Sequence, residues 1–551
     1  MIRRAATIVL AAAAAAAFSA PIASAGVSSS AAPSAKKPNV LVIMADDMRY
    51  DDMKWMPQTK KLLGNQGTTF SKHFVTYPLC CPARTTFLTG QLAHNHGVTS
   101  VFSPDNFIGW STKDNNMGAW LQRAGWQTGV SGKYLNGYGE LSQTEVPKGW
   151  NDWRGSIDES TIDAFNTTIN VNGKVTRHGD PDWSNRVLQF SKIVGEGKIT
   201  EYAGTPTSLV STISSLFWSR PRPWTFGSTD PKNYTTKIEA DGSRAFIAKA
   251  TKSKKRWFSW YTPPSQHRED VAEQANLARS IGINPRVPEP YLSRVKNLPL
   301  DRSAPSFAEV NMSDKREALQ SPAVPNILSP ECKGGCITKL TDYTRGRAGA
   351  SMALDDQVAK TVAQLKKSGQ LEKTLIIFTS DNGWLLGEHN IPGDKYMPYE
   401  ESIHVPLLMR GPGIPKGKVN DALVANVDLS PTIVDATGAT AGRQTDGMSL
   451  LKLIKNPSLA RTAVPLEATR KLFVKPGAYP NQWDVPYYGV RTKDYMYAKY
   501  TGTGEEELYN LVSDPYEMNN LASVPSSAAK LAEMAQLALE LSTCRGSACV
   551  R

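Results

Sequence analysis

Two uninterrupted apolar stretches of the chain each end abruptly in side chains that carry oxygen. Residues Asn39–Met44 (NVLVIM) have the β-branched pattern of a buried strand, and Asp46 and Asp47 follow closely. The pattern recurs at Thr374–Thr379 (TLIIFT), which is followed by the sequence SDNG. In an open parallel sheet, ligands bind outside the carboxyl ends of the strands. We therefore expect the two polar segments to face one site.

Further strand and helix patterns alternate along the chain. Apolar segments predict strands at Thr128–Val130, Trp257–Tyr261 and Val405–Arg410. Apolar residues at helical spacing predict helices over Asn116–Ala124 and Leu354–Gly369. This alternation favours an α/β fold, with a mostly parallel sheet flanked by helices.

The pattern changes towards the C-terminus. After about residue 485, short alternating strands and Gly-rich turns precede a predicted helix over 527–541, as in a small antiparallel α+β subdomain. We therefore predict a catalytic domain over 39–484 and a C-terminal subdomain over 485–551. Residues from about 155 to 230 have weak periodicity and form a predicted insertion in the catalytic domain.

The N-terminal segment predicts export. Residues 1–25 combine two arginines, an apolar run and a small-residue ASA site, which is the pattern of a signal peptide; a polar linker over 26–38 follows. The arginine pair leaves the twin-arginine route open as an alternative. No later segment is apolar over the ~20 residues that a membrane span needs. We expect a secreted product without a stable membrane anchor.

The formal net charge of +12 favours anionic partners. The basic residues form no long run and no stripe interleaved with aromatics, and the densest group, Lys252–Lys255, reads as a solvated loop. We therefore expect no nucleic-acid partner. Sulfated or phosphorylated polymers and small anions remain open.

Six cysteines occur, at positions 80, 81, 332, 336, 544 and 549. The segments CKGGC, with Cys332 and Cys336, and CRGSAC, with Cys544 and Cys549, enclose small loops. Each is most simply a local disulfide in an oxidising compartment. Zinc is the alternative, but no histidine lies near either segment. The adjacent pair at 80 and 81 can hardly bond to itself without strain.

Oxygen-bearing side chains and histidines are the candidate functional groups. Asp46, Asp47, Asp381 and Asn382 are hard ligands suited to calcium or magnesium, although either pair alone is more often a turn or a helix cap. Two of the seven histidines, His267 and His389, follow predicted strands. A lone histidine is usually structural, so a catalytic and a structural role for His267 stay open.

The segment CCPARTTFLTG, residues 80–90, resembles the signature of the formylglycine-dependent (type I) sulfatase family: Cys-x-Pro-x-Arg, then Leu-Thr-Gly. The resemblance covers nearly all of residues 38–549 and includes PNVLVIMADD, GKYLNGY, FTSDNG, GEHN, NVDLSPT and ELYNLVSDPYEMNNL. Within the family, GKYLN, PSFAEVNMSDK and CRGSAC are most similar to the N-acetylglucosamine-6-sulfatase branch.

The resemblance implies an alkaline phosphatase-like fold and a modified nucleophile. A formylglycine-generating enzyme would oxidise Cys80 to formylglycine, whereas Cys81 occupies the variable position of the signature. A thiol attacking a sulfate ester would form a stable adduct. A geminal diol can attack with one oxygen and expel sulfate with the other by collapsing to the aldehyde.

The same resemblance assigns roles to individual residues. The expected ligands of a divalent cation, calcium in preference to magnesium, are Asp46, Asp47, modified Cys80, Asp381 and Asn382. Arg84 would polarise the formylglycine hydrate and the sulfate, and Lys133 and Lys395 would neutralise charge on the transferring group. His267 is similar to the histidine that protonates the leaving oxygen or assists elimination. The expected substrate is a sulfated small molecule or carbohydrate.

Two positions depart from the family pattern. Asn136 stands where many sulfatases have a histidine, so it is expected to bind substrate without donating a proton, and His404 stands where arginine is frequent. Both departures obscure the route of the proton. Two alternative functions also stay open. Phosphonate monoester and phosphodiester hydrolases share the signature, and an unmodified Cys80 would leave an anion-binding protein without turnover.

Overall fold

A computed structural model describes residues 37–179, 230–269, 285–320, 326–329, 336–469 and 485–551. The predicted signal peptide, most of the predicted linker and insertion, and Cys332 lie outside these residues. Cys336 is disulfide-bonded, and Cys544 and Cys549 form the predicted disulfide. None of the helices in the described ranges has the length and apolar character needed to cross a membrane.

The described chain contains two larger sheets and a short two-stranded one. The strands are β1 (Asn39–Ala45), β2 (Thr68–Phe70), β3 (His73–Phe74), β4 (Gln127–Lys133), β5 (Asp152–Ser156), β6 (Thr168–Val171), β7 (Lys174–Arg177), β8 (Trp257–Thr262), β9 (Thr374–Ser380), β10 (Leu407–Arg410), β11 (Lys418–Asn420), β12 (Val424–Ala425), β13 (Ala463–Ala468), β14 (Tyr487–Thr492), β15 (Tyr495–Tyr500) and β16 (Glu506–Asn510). The main sheet has the order β11-β2-β10-β9-β1-β8-β4-β5-β6-β7, and β3 pairs with β12.

The centre of the main sheet is parallel. Strands β9, β1, β8, β4 and β5 run in the same direction, whereas β10, β6 and β7 are joined by antiparallel pairing. This arrangement confirms the predicted α/β class with a mostly parallel sheet. It also places the carboxyl ends of β1, β4, β8 and β9 along the same edge, where polar side chains can meet.

Helices cover both faces of this sheet. The α-helices of five or more residues in the described ranges are α1 (Cys80–Thr89), α2 (Met117–Arg123), α3 (Thr235–Lys252), α4 (Tyr291–Val295), α5 (Cys336–Lys367), α6 (Leu429–Thr437), α7 (Leu450–Lys455) and α8 (Ala528–Leu541). Shorter helices span Pro57–Thr59, Ala93–His96, Asp158–Thr161, Glu317–Gln320 and Glu400–Ile403.

Alternate residues of β1 pack into opposite layers. Val42 lies in one hydrophobic cluster with Trp120 of α2, whereas Ile43 lies in another with Phe246 of α3 and Leu354 of α5. Successive side chains of a strand point to opposite faces, so a strand buried on both faces is apolar throughout. This explains the uninterrupted apolar pattern from which β1 was predicted.

The second sheet is antiparallel and lies towards the C-terminus, as predicted. It consists of β13, β14, β15 and β16 in that order, and α8 packs against it. Its first strand precedes residue 485, where the sequence pattern changes. The segment Ala463–Ala468 is buried along its whole length and contains Pro465, so it lacks the alternation that marks the later strands.

Candidate active site

Four predicted ligands meet where β1 and β9 end. These strands are parallel and their last residues are directly paired, so the chain leaves both strands at one point. Asp46, Asp47, Asp381 and Asn382 are all buried there. The Asp47 N–H donates to Asp381 Oδ1 at 3.1 Å, and Asn382 Nδ2 donates to Asp47 Oδ1 at 2.7 Å. The structure thus brings the two polar segments together as expected.

Ser380 fastens these strand ends to one another. Its Oγ accepts the Met48 N–H at 2.9 Å and lies within 3.2 Å of the Ala45 carbonyl oxygen and 2.9 Å of the Asn382 carbonyl oxygen. These contacts connect the turn after β1 to the turn after β9. Sequence reasoning gave Ser380 no role, because serine after a strand is common and carries no signature of its own.

Cys80 is the first residue of α1 and lies beside the carboxylates. Its Sγ is 2.8 Å from Lys395 Nζ and 3.5 Å from Asp46 Oδ1, and the residue is only 2% exposed. Burial raises the pKa of the thiol to about 12, although Lys133 and Lys395 oppose the shift. The unmodified side chain is therefore a neutral thiol, which is a weak nucleophile.

Arg84 lies one helical turn after Cys80 and is completely buried. Its Nε donates to Asp381 Oδ2 at 2.7 Å, and its Nη1 donates to the Lys133 carbonyl at 2.7 Å and to Thr262 Oγ1 at 2.6 Å. Its Nη2 has no hydrogen-bond partner in the described chain and lies 3.6 Å from Asp46 Oδ1, an ion-pair distance. The guanidinium is thus fixed in place, and Nη2 keeps hydrogen-bonding capacity that an anion can use.

Two lysines place positive charge beside the aspartates. Lys133 Nζ donates to Asp46 Oδ2 at 2.7 Å, and Lys395 Nζ contacts Asp47 Oδ1. Burial lowers the pKa of each ammonium group, but the neighbouring carboxylates raise it by a larger amount, so the pKa is above its ordinary value and both lysines are protonated. For Asp46 the two effects have the opposite signs: burial raises the pKa of the carboxyl, but Lys133 and other cations bring it well below its ordinary value.

A glycine allows Lys133 to reach the site. Gly132 has φ of +119°, and a Cβ there would lie 2.2 Å from the carbonyl oxygen of Thr262 on the neighbouring strand. Only glycine takes this conformation and permits such a close approach of β4 to β8. The Gly-Lys sequence of the GKYLN segment therefore has a steric basis in this chain.

His267 follows β8 and faces the same carboxylates. Its Nε2 lies 3.6 Å from Asp47 Oδ2, and its Nδ1 lies 2.6 Å from the Arg268 carbonyl oxygen. A carbonyl only accepts, so Nδ1 carries a proton. Burial lowers the pKa of His267 despite the opposing effect of Asp47 and Asp46, which favours the neutral ring at pH 7. Its Nε2 lone pair then faces the site.

Asn136 lies next to an acid that sequence reasoning missed. Its Nδ2 is 3.5 Å from Asp158 Oδ1, and the Gly137 N–H donates to Asp158 Oδ2 at 2.7 Å. Asn136 Oδ1 is buried without a partner in the described chain. Burial raises the pKa of Asp158. Its segment has weak periodicity, so the sequence offered no signal that would place this acid.

The other two histidines singled out in the sequence occupy different surroundings. His389 pairs through Nδ1 with Glu309 Oε2 at 2.8 Å and packs on Tyr399. His404 pairs through Nε2 with the Ser71 carbonyl oxygen at 2.9 Å and stacks on Tyr50. His404 thus packs between the main sheet and the turn after β1.

The side chains at the strand ends fit a divalent cation. Asp46, Asp47, Cys80 and His267 each offer a ligand atom, and these atoms lie within 4.8 Å of one another. Two further observations support this fit: Asp47 Oδ2 and Asn382 Oδ1 are buried and have no hydrogen-bond partner in the described chain. Carboxylate and amide oxygens are the ligands that hard cations such as Ca²⁺ and Mg²⁺ prefer.

Comparison with known families agrees with this geometry. A family model described as Sulfatase matches residues 38–439. The chain belongs to the sulfatase family. A second family model, described as N-sulphoglucosamine sulphohydrolase, C-terminal, matches residues 387–544. The chain is accordingly a sulfuric ester hydrolase.

Similar proteins include the N-acetylglucosamine-6-sulfatases of goat and human. The goat protein is 28% identical over 95% of this chain and 86% of its own length, and the human protein is 28% identical over 94% and 87%. The N-acetylglucosamine-6-O-sulfatase of Bacteroides thetaiotaomicron is 24% identical over 94% of this chain and 89% of its own. The resemblance stated from the sequence is thereby confirmed.

Solved structures show the alkaline phosphatase-like fold. One, a protein in complex with its substrate D-glucosamine-2-N,6-O-disulfate, has a TM-score of 0.65 at 21% identity and covers 92% of this chain and 97% of that one. The phosphonate monoester hydrolase of Agrobacterium radiobacter has a TM-score of 0.61 at 22% identity, with coverage of 92% and 95%. The fold is therefore common to enzymes that act on different esters.

Proposed function

We propose that this sulfatase hydrolyses sulfate monoesters on sugars, with 6-O-sulfated N-acetylglucosamine as the substrate class. The names of the relatives from goat, human and Bacteroides thetaiotaomicron support this class. The observation that carries the reaction type is the convergence of Cys80, three cationic side chains and four oxygen donors at the carboxyl ends of β1 and β9. Such a site suits an anionic ester.

In this proposal, a formylglycine-generating enzyme converts Cys80 to formylglycine. The hydrated aldehyde supplies one hydroxyl as nucleophile and a second that releases sulfate when the aldehyde is restored. The neutral thiol of unmodified Cys80 lacks this chemistry. Lys395 Nζ, 2.8 Å from Cys80 Sγ, holds the side chain of residue 80 against the carboxylates.

Asp46, Asp47, Asp381 and Asn382, together with modified residue 80, hold the cation in this proposal. Their buried set of protein oxygens suits Ca²⁺ better than Mg²⁺, which usually keeps several water ligands. The bound cation supplies Lewis-acid polarisation of oxygen. The same cation would also provide a partner for Asp47 Oδ2 and Asn382 Oδ1, which have none in the described chain.

Cationic side chains bind and orient the sulfate group. Arg84 Nη2 is a donor without a hydrogen bond in the described chain, on a guanidinium fixed by three other hydrogen bonds, and Lys133 and Lys395 add two protonated amines. Donors fixed before the reaction stabilise developing negative charge without reorganising. His267 transfers the proton to or from the reacting oxygens through Nε2, while Asn136 hydrogen-bonds substrate.

Export completes the proposed role. The expected signal peptide over residues 1–25 would deliver the enzyme to an extracellular space, where sulfated carbohydrates are its partners. The basic residues are dispersed along the sequence, so we do not propose nucleic acid as a partner. The formylglycine-generating enzyme acts only during maturation.

A substrate panel tests the proposal. We expect N-acetylglucosamine 6-sulfate and 4-nitrophenyl sulfate to be hydrolysed with higher kcat/KM than the corresponding phosphonate monoester and phosphodiester. Asp381→Ala should abolish turnover of all of them, which controls for contaminating enzymes. A preference for the phosphonate ester would instead favour the second candidate function, which the fold shared with the Agrobacterium radiobacter hydrolase keeps open.

A further inference from the structure

A second group of potential metal ligands lies outside the site at the ends of β1 and β9. His389 comes from the loop after β9, Glu401 from the short helix Glu400–Ile403, and Glu517 from the loop after β16. One ligand atom of each lies within 4.8 Å of the others. His389 and Glu517 are each only 1% exposed. The cluster thus joins the main sheet region to the C-terminal sheet region.

Each of the three side chains keeps one polar atom unpaired. His389 Nε2, Glu401 Oε2 and Glu517 Oε1 are buried and have no hydrogen-bond partner among the described residues. Two of the side chains are oriented by their other polar atom: His389 Nδ1 lies 2.8 Å from Glu309 Oε2, and Glu517 Oε2 accepts the Glu400 N–H at 3.0 Å. The cluster therefore presents one nitrogen and two oxygens from partly fixed side chains.

The surrounding cations of the described chain form no ion pair with these carboxylates, although the charge of Arg49 acts on Glu401 and that of Arg491 on Glu517. Each is paired with a different acid: Arg49 with Glu388 at 2.7 Å, Arg491 with Glu400 at 2.6 Å, and Lys315 with Glu309 at 3.2 Å. Within the described chain, Glu401 and Glu517 have no ion pair. Two carboxylates that each bury an unpaired oxygen and lack an ion-pair partner in the described chain are costly, so a proton or a cation must compensate them.

We propose that His389, Glu401 and Glu517 bind a divalent cation of the Zn²⁺ or Mn²⁺ type. An imidazole nitrogen with two carboxylates suits these metals, whereas Ca²⁺ prefers oxygen ligands alone. A divalent charge balances the two carboxylates. The site shares no residue with the predicted calcium site, and its role is structural: it links the loop that carries Lys395 to the segment after β16.

Cobalt is a suitable probe, because Co²⁺ takes Zn²⁺ sites and absorbs visible light there. The full-length protein is stripped with a chelator, saturated with Ca²⁺ and then titrated with Co²⁺. We expect one equivalent of Co²⁺ to bind with a visible absorption spectrum and to be displaced by Zn²⁺. Absence of any Co²⁺ uptake by the wild-type protein would overturn the proposal. This measurement uses the wild-type protein alone, so it does not depend on whether a variant folds.

Variants locate the bound ion. Glu517→Gln and Glu401→Gln should each weaken Co²⁺ binding by at least about tenfold, since even changes outside the ligand shell cost about 10–100-fold in metal affinity. The exposed Glu533→Gln is the matched control and should bind as wild type does. Unchanged Co²⁺ affinity in both cluster variants would contradict the assignment.

A further comparison separates this site from the catalytic one. Asp381→Ala removes a predicted calcium ligand but leaves His389, Glu401 and Glu517 intact, so the variant should lose turnover and keep its Co²⁺ spectrum. Loss of that spectrum in Asp381→Ala would show that the ion occupies the catalytic site and would refute the proposal. Neither outcome depends on which ester the enzyme prefers.

Discussion

Single atoms left without a partner are the most informative features at the residue scale. Arg84 is held by three hydrogen bonds, yet its Nη2 makes none, and Asp47 Oδ2 and Asn382 Oδ1 also have no hydrogen-bond partner in the described chain. Buried polar groups are usually satisfied, so a set of unpaired atoms at one point indicates a ligand. Here the donor suits an anion, and the acceptors suit a cation.

The role of His267 gives the first prediction. A poor leaving group needs a proton in the transition state, which typically contributes about 10²–10⁴-fold. His267 can supply this proton only from its doubly protonated form, because the neutral ring carries its proton on Nδ1. If it does so, His267→Ala should reduce hydrolysis of a sugar sulfate by that order, and reduce transfer from 4-nitrophenyl sulfate far less. Steady-state and single-turnover rates on both substrates measure the difference.

Lys133→Ala is the comparison for this test. Lys133 bears positive charge beside Asp46, so its loss should slow both substrates to a similar extent. Equal losses on both substrates for His267→Ala would assign that histidine to elimination or sulfate binding. Asp158, next to Asn136, would then be the acid to examine.

That these residues lie together was predictable only where a motif carried them. The metal-ligand pairs and Cys80 stand in short motifs at strand and helix ends, so the sequence placed them together before the fold was known. Thr262 and Asp158 contact this group from distant segments, and threonine or aspartate at such positions has no distinctive pattern. Their roles follow from tertiary packing alone.

At the scale of elements, the site depends on the alignment of two strand ends. The final residues of β1 and β9 are paired, and Ser380 fastens the turns that follow them. The N-terminus of α1, which carries Cys80, meets these turns with the positive end of its helix dipole. Register and helix placement together fix the geometry.

Ser380→Ala provides the second prediction. The change leaves the buried Met48 N–H without its acceptor, which costs about 1–3 kcal/mol in the free energy of unfolding. It should also raise the Ca²⁺ concentration needed for half-maximal activity, because the two turns lose their connection. Denaturant unfolding and a calcium titration of activity measure the two effects.

Thr379→Val is the matched control for this change. Thr379 is buried on the same strand, but among the described residues its hydroxyl contacts only the Ser380 carbonyl oxygen, at 3.4 Å. It should shift the calcium requirement little. An unaltered calcium requirement in Ser380→Ala would show that the turns keep their positions without this hydroxyl.

The elements were predicted unequally well. Strands β1 and β9 are buried on both faces, so their apolar sequences were unambiguous. Helix α5 begins at Cys336, well before the predicted start at Leu354. The first half of the helix was not predicted because it is rich in small and polar residues. Gly349 in that half allows close packing against Val287, where a Cβ would lie 2.9 Å from Val287 Cγ2. Because this half of the helix packs through small residues, its sequence lacks the periodic apolar pattern from which a helix is predicted.

At the scale of the whole molecule, His94 joins three distant parts of the chain. Its Nδ1 lies 2.7 Å from Glu467 Oε2 in β13, and its Nε2 lies 2.9 Å from the carbonyl oxygen of Cys544. Both neighbours are acceptors, so the contacts favour the doubly protonated ring. Burial lowers the pKa of His94, but the hydrogen bond that it donates to Glu467 and the charge of that carboxylate raise it above the ordinary value.

The third prediction follows from the direction of this shift. A group whose pKa is higher in the folded state stabilises the fold fully below its unfolded pKa of about 6.5, and this contribution is lost as pH rises through the folded value. The thermal midpoint should therefore fall more between about pH 6 and about pH 8 in wild type than in His94→Gln.

Glu467→Gln supplies the check on this pH effect. It removes the charge responsible for the shift, so it should flatten the same part of the stability profile. Combining both changes should add nothing further, because they act on one interaction. A steeper pH dependence in His94→Gln than in wild type would contradict the assigned sign.

The central claim is that a modified Cys80 carries out sulfate ester hydrolysis. Because Cys80 is 2% exposed within a helix, the converting enzyme must act before the domain finishes folding. Cys81 is equally buried but has no role in this chemistry, so Cys81→Ser should preserve both the modification and turnover. Cys80→Ser should abolish turnover in a host whose converting enzyme acts only on cysteine.

The most direct test is the mass of the peptide that contains Cys80, measured on enzyme whose active fraction is known. We predict that Cys80 has exchanged its thiol for an aldehyde, that Cys81 remains a cysteine, and that the converted fraction equals the active fraction. Fully active enzyme with an intact thiol at Cys80 would contradict the proposed mechanism.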